Sequence, residues 1–375
     1  MDDCNRTKLI MASNNQDLEA VAETFDRETD PLRQYEKKFS DVDVNIFEAY
    51  VERVLLSKDP SNSTLKNYRH SFGQWEDFMS KEGRHPACPN EEHIKRFPDY
   101  LATVRGNSVS TIRRKIDNLN RIYEWWQDHH AFPHPTDYNP FSIAKREMDL
   151  SEDSEEKQYP YLTESDLSEI IRNCTNIRER LFLIWLLKLG MRVGEFRNIK
   201  LKDISIAHAN LKDSYPTLGT ASEISDYENC IFVPSKYDQD GNKSSKPRIL
   251  PLDDELRHIL LQYLMTRPKV DEPWLILSQR THKKMTQGDP INTVWKAHFH
   301  EYNQAEEYRE VTTHYGRHYF TRYWKIQEEI QRELVQYMRG DELGDTRSGD
   351  SIDDYLAAYY EDIKTIYLDR VPKFL

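Results

Sequence analysis

The chain has 375 residues, with 52 lysines and arginines against 64 aspartates and glutamates, a formal charge of −12, and 38% hydrophobic residues. That length implies two domains, or three at most, with enough apolar side chains for ordinary cores. No run reaches the apolar length of a membrane span and the first residues do not read as a signal peptide, while four scattered cysteines (Cys4, Cys88, Cys174, Cys230) without a CxxC argue against a disulfide framework or a metal knuckle and fit a reducing cytoplasm.

The stretch up to about residue 44 is polar and acidic with no sustained period, and is expected to be flexible. Residues 45–145 carry four helical patterns. NIFEAYVERVLLSK repeats Ile46/Phe47, Tyr50/Val51 and Val54/Leu55. STLKNYRHSFGQWEDFM starts at a Ser63 or Thr64 cap and lines up Leu65, Tyr68, Phe72, Trp75 and Met79. PNEEHIKRFPDYLATV gathers Ile94, Phe97, Tyr100, Leu101 and Val104, with Pro98 bending it or marking its first turn. SVSTIRRKIDNLNRIYEWWQDH turns Val109, Ile112, Ile116, Leu119, Tyr123 and Trp126 inward, which leaves Arg113, Arg114, Lys115 and Arg121 outward. Four helices with short links predict a small bundle.

A Pro/Asn-rich loop and the acidic run that follows it place a linker at 146–160. The second domain, 161–375, opens on YLTESDL, a capping box at Thr163 and Asp166. Two helices lead to Gly190. NCIFVPSK and KPRILPL then read as two strands joined by the turn YDQDGNKSS, and helices resume at 253–266, 291–303, 314–325, 328–338 and 351–367. The predicted fold class is therefore mainly α with a small β-hairpin element.

Four constellations carry candidate chemistry. In LKLGMRVGEFRNIK, Arg192 begins a helix and Glu195 lies one pitch behind it, so a carboxylate can aim the guanidinium fork at an anion; a routine surface ion pair has the same spacing. Lys236 stands where a strand enters the hairpin turn and can give a proton to a leaving alkoxide, or be a solvated hairpin tip. THYGRHYF sets His314 and Arg317 one helical turn apart with His318 beside them, a phosphate clamp or the edge of an aromatic core. In SIDDYLAAYYEDIKTIYL, Tyr355 and Tyr359 share a face, and tyrosines at such spacing are mostly packing residues.

Taken in order, Arg, Lys, His-x-x-Arg and Tyr resemble the tyrosine recombinases, the phage-integrase and Xer-type enzymes, over about residues 45–370. The YYEDI tail is most similar to archaeal members. The resemblance implies a helical, SAM-like core-binding domain that clamps DNA and a C-terminal catalytic domain. It implies cleavage and rejoining of double-stranded DNA at a specific site through a phosphotyrosine bond, with self-association as a dimer or tetramer on DNA. Neither cofactor nor metal is implied, and the setting would be the cytoplasm, at the nucleoid. Carried over residue by residue, Arg192 and Arg317 grip the scissile phosphate, Lys236 is the general acid, His314 is the first histidine of its box, and Tyr355 is the nucleophile, with Tyr359 and Tyr360 as alternatives. Arg113, Arg114, Lys115 and Arg121, with Lys283 and Lys284 of RTHKK, are the expected DNA contacts.

One position departs from the family pattern. Where the family carries a histidine or tryptophan after the glycine of its last box, YMRGDEL has Asp341, and an ionised carboxylate cannot donate a hydrogen bond to a phosphoryl oxygen. His318, Arg339 or Arg347 would have to supply the donor. Asp341 thus favours a second reading, a DNA-binding protein of the same fold with an impaired centre. A third is an enzyme of the type IB topoisomerase kind.

Overall fold

The computed structural model describes residues 19–150, 157–208, 210–341 and 352–375, with side chains in the last segment from Tyr359 onward. The chain divides into two compact units, Met1–Glu155 and Glu156–Leu375.

The first unit is helical: α1 (Ile46–Tyr50), α2 (Asn62–Lys81), α3 (Glu91–Thr103), α4 (Val109–Asp128) and α5 (Pro140–Glu147). Four of the five starts are capped by a side chain. The side chains of Asn45, Ser61, Asn90 and Asn139 accept from the first free backbone amides of their helices. The cap of α2 is therefore Ser61, two residues before the expected one. Pro98 sits inside α3, and Val104, expected inward, ends that helix 58% exposed. The core is aromatic, with Trp75 edge-on to Phe97 at 4.9 Å and Phe47 tilted on Phe72 at 5.0 Å.

Two expectations need correction here. The acidic front is not loose to residue 44, because Leu32 and Phe39 are buried in this core and Arg84 pairs with Asp30 at 2.6 Å. Two isolated apolar anchors leave no period to read. Residues 140–147, for which no element was expected, form a helix that buries Phe141 and Ala144. Lys115 does not face outward. It falls between Ile112 and Ile116 on the inward stripe, is buried, and donates to Gln74 Oε1.

His134 is also buried. Its Nε2 donates to the Ala87 carbonyl at 2.9 Å and its ring stacks on Trp126 at 5.0 Å. Burial lowers its pKa to about 4, against the opposing pull of that carbonyl. Below its ordinary value near 6.5 the unfolded chain binds a proton that the folded one refuses. Folding stability of this unit should therefore fall as pH drops from about 6.5 to about 4, by on the order of 3 kcal/mol. Urea melts followed by tryptophan emission across that window will check it, and a His134→Gln protein with the same pH slope would refute the assignment.

In the second unit, α6 (Glu164–Asn173) starts on the expected Thr163/Asp166 box, and α7 (Ile177–Leu189) ends at Gly190 with φ 59°. Every side chain from Leu181 to Leu189 is buried, so α7 is the axis of this unit rather than an amphipathic surface helix. After α8 (Val193–Arg197) come three short strands, β1 (Ile204–Ser205), β2 (Cys230–Val233) and β3 (Arg248–Pro251), antiparallel in the order β1-β2-β3. The hairpin pairs Ile231 with Leu250 and Phe232 with Ile249, and a two-residue β1 that propensity could not reveal pairs Ile204 with Ile231. α9 (Asp254–Thr266) and α11 (Thr313–Arg322) pack on α7, with α10 (Asp289–His298) between them in sequence. α12 (Arg332–Arg339) and α13 (Ile352–Arg370) close the unit against β3.

Candidate active site

Three turns bring the candidate residues together. Gly190 ends α7 in the left-handed region, and a side chain there would meet the Phe320 ring, so the chain turns tightly and delivers Arg192 to the start of α8. The Arg192 backbone amide donates to Glu195 Oε2 at 3.1 Å, and its Nη1 lies 3.2 Å from Glu195 Oε1. This is the expected i,i+3 pair, but it is not a routine surface one. Glu195 is fully buried and also accepts from Arg248 Nη2 at 2.7 Å. Burial alone would raise the Glu195 carboxyl, yet Arg248 and Arg192 outweigh it and hold the pKa below the ordinary value.

The second turn is the start of α11. Gly316 lets this helix approach the backbone of Leu186 on α7. Arg317, 4% exposed, donates through Nη1 to the carbonyls of Gly190 at 2.9 Å and Arg339 at 2.7 Å. Burial, with Arg192 and Arg339 close by, pulls its pKa down to about 9, and Asp341 opposes that fall.

The third turn follows α12. Gly340 is left-handed at φ 66°, and a side chain at that position would strike the Arg248 guanidinium. The turn presents Asp341. Its Oδ1 accepts from Arg192 Nη2 at 3.0 Å and from Arg317 Nη2, while its Oδ2 lies 3.1 Å from Arg339 Nε. Two guanidiniums from distant parts of the unit therefore converge on one carboxylate oxygen, with a third on the other. The carboxylate sits on the donors that the sequence assigned to phosphate.

A model of the phage integrase family matches residues 160–342. Tyrosine recombinase XerC of Staphylococcus epidermidis is 29% identical over 259 residues, covering 66% of this chain and 71% of that protein. A lambda integrase dimer bound to a COC′ core site superposes with a TM-score of 0.56 at 15% identity, over 90% of this chain and 88% of that one. The Tn1549 transposon integrase in complex with a circular intermediate DNA gives 0.56 at 16% identity, over 87% and 99%. Residues 160–342 belong to the phage integrase family, and the relatives that the chain matches are tyrosine recombinases.

The other candidate residues are placed as follows. His314 and His318 lie on the exposed side of α11. Partial burial, then Arg309, Arg317, Arg339 and His318, lowers the His314 pKa, so its imidazole is neutral near pH 7 and able to accept a proton. His318 faces the Tyr159 ring at 5.1 Å. Lys236 is exposed, its ammonium 4.9 Å from the Tyr237 ring. The hairpin loop that carries it is anchored. Lys236 N donates to Ser244 O at 2.8 Å, and Asn198 Nδ2, just past α8, holds the loop through Asp240 O at 3.0 Å and Asn242 Oδ1 at 2.9 Å.

The tail tyrosines divide. Tyr359 is buried, its ring stacked on Tyr337 at 4.9 Å, and Tyr360 is buried edge-on to Tyr227 at 4.6 Å, its pKa raised by burial. Tyr355 falls on α13, but its side chain and Arg347 lie outside the described residues. On α4, Arg113, Arg114 and Arg121 are exposed, Arg121 donating to Tyr68 Oη at 3.0 Å and Arg113 to the Leu150 carbonyl. Lys283 is exposed, and Lys284 stacks over Trp274 at 3.8 Å with Lys200 on the same ring at 5.1 Å.

Sequence reasoning missed Arg248. It stands in KPRILPL as the one charged residue of a fully buried strand, its Nε on the Met338 carbonyl at 2.9 Å. An arginine inside an apolar run was the available signal.

Proposed function

We propose that this recombinase breaks and rejoins double-stranded DNA at a specific site through a phosphotyrosine intermediate, acting as a multimer on its site. The observation that carries this is the convergence of Arg192 and Arg317 on a single anionic oxygen. Tyr355 is the nucleophile, a reading supported by the burial of Tyr359 and Tyr360. Its oxygen forms a bond to phosphorus as the bond to the 5′ oxygen breaks. His314 takes the phenol proton, and Lys236 gives one to the departing oxygen. The two arginines stabilise charge gathering on the non-bridging oxygens. Attack by a 5′ hydroxyl reverses the sequence and needs no external energy source.

The helical unit is the core-binding domain, with Arg113, Arg114 and Arg121 as its phosphate contacts; Lys283 and Lys284 serve the catalytic unit in the same way. The protein works at the nucleoid. No helix among the described residues is long and apolar enough to cross a membrane.

Covalent trapping is the test. Purified protein is mixed with fragments of its source genome, quenched with detergent, and the protein-linked ends are sequenced. Adducts should cluster at a defined site and vanish in Tyr355→Phe but persist in Tyr359→Phe and Tyr360→Phe proteins. DNA binding without any adduct would favour the impaired-centre reading, and relaxation of any supercoiled plasmid would favour the topoisomerase.

A further inference from the structure

We infer that Asp341 is a built-in occupant of the phosphate seat, displaced when DNA enters, and that Arg339 is the third guanidinium of that seat. The inference rests on the DNA-cleaving role proposed for Arg192 and Arg317.

A carboxylate and a phosphodiester make the same demand: two terminal oxygens that share one negative charge. Asp341 meets it with Oδ1 on Arg192 and Arg317 and Oδ2 on Arg339. The seat does not need Asp341 for its construction. Arg317 is fastened to the carbonyls of Gly190 and Arg339, and Arg192 to Glu195 and to the Gly340 carbonyl at 3.3 Å. Glu195 is fixed in turn by Arg248. When the carboxylate leaves, the guanidiniums keep these holders.

The fit of the carboxylate is also incomplete. Among the described residues Arg339 Nε is a buried donor that makes no hydrogen bond, its 3.1 Å approach to Oδ2 falling outside hydrogen-bond geometry. A tetrahedral phosphate has oxygens outside the carboxylate plane and can meet this donor. Arg339 thereby supplies the contact that a histidine or tryptophan gives elsewhere in the family. Release needs little movement. The Asp341 backbone amide donates to Gln336 O at 3.0 Å and can stay, while the side chain turns toward solvent.

An occupied seat weakens apparent affinity by the fraction of molecules in which it is free, so closure in nine of ten costs about tenfold. The probe is inorganic phosphate, titrated by calorimetry into the full chain at fixed ionic strength. Asp341→Asn should bind it about tenfold tighter than wild type or more, and adding Arg339→Gln should reverse most of that gain. In the trapping assay Asp341→Asn should form adducts faster. Asp341→Ser repeats the measurement with a smaller side chain should the asparagine protein melt early.

A folded Asp341→Asn protein that binds phosphate no tighter than wild type, or that forms adducts more slowly, overturns the inference and makes Asp341 a brace for the arginines. Tighter phosphate binding that ignores Arg339 removes Arg339 from the seat. The two readings fail separately. Wild-type adducts that depend on Tyr355, with unchanged phosphate affinity in Asp341→Asn, sink the occupant alone. The predicted phosphate binding with no adduct in any protein sinks the cleavage reading alone.

Discussion

Arg317→Ala should form covalent DNA adducts about 10²–10³ times more slowly than wild type, the loss expected when one preorganised donor to a developing oxyanion is removed. Arg317 is the most enclosed of the three guanidiniums around Asp341, and its charge acts where water is largely excluded. Lysine should recover little. One ammonium cannot reach the carbonyls of Gly190 and Arg339 and also the anion, which the planar fork does at once. Both variants should still retain duplex DNA in mobility shifts, because the contacts that hold the backbone are spread over many residues. An Arg317→Ala protein within tenfold of wild type in adduct rate would remove Arg317 from the chemistry.

The second large effect concerns folding. Lys188 is fully enclosed on α7, bonded to Asp253 Oδ2 at 2.7 Å and paired with Glu255; Lys373 reaches the same Asp253 oxygen at 2.7 Å. Lys188→Met fills a similar volume but strands buried carboxylates, and should cost about 3–5 kcal/mol of unfolding free energy in urea melts at pH 7. Burial pushes the Asp253 carboxyl up, and Lys188 and Lys373 overcome that and set its folded pKa below the ordinary 3.8. A depressed folded pKa gives stability that is present above the unfolded value and lost as pH falls through the folded one. The gap between mutant and wild type should therefore narrow below about pH 4. A loss under 1 kcal/mol at pH 7 would mean that Lys373 neutralises the pair unaided.

Local rules made part of this legible. The Thr163/Asp166 box, the break at Gly190, the Arg192–Glu195 pair and the helix carrying His314 and Arg317 each depend on residues three or four apart, which sequence spacing encodes directly. What escaped depends on distant partners. Asp341 meets Arg192 across 149 positions, and nothing near YMRGDEL announces that its carboxylate is wanted. Arg248 was not singled out, and the burial of Glu195 explains its place. Lys115 failed for the opposite reason. A four-carbon stem can pack on an inward stripe while its ammonium finds Gln74, so charge alone did not decide which face it took.

The sharing of Glu195 between Arg192 and Arg248 has a mechanical meaning. Arg248 belongs to β3 and grips the Met338 carbonyl at the end of α12, so strand, helix start and the Gly340 turn are bolted through one carboxylate. The ordering of these side chains is completed when the unit folds, and little entropy remains to be lost when a substrate arrives. Stiffness of this kind makes the centre a rigid socket, in which a displacement of β3 is carried through Glu195 to Arg192.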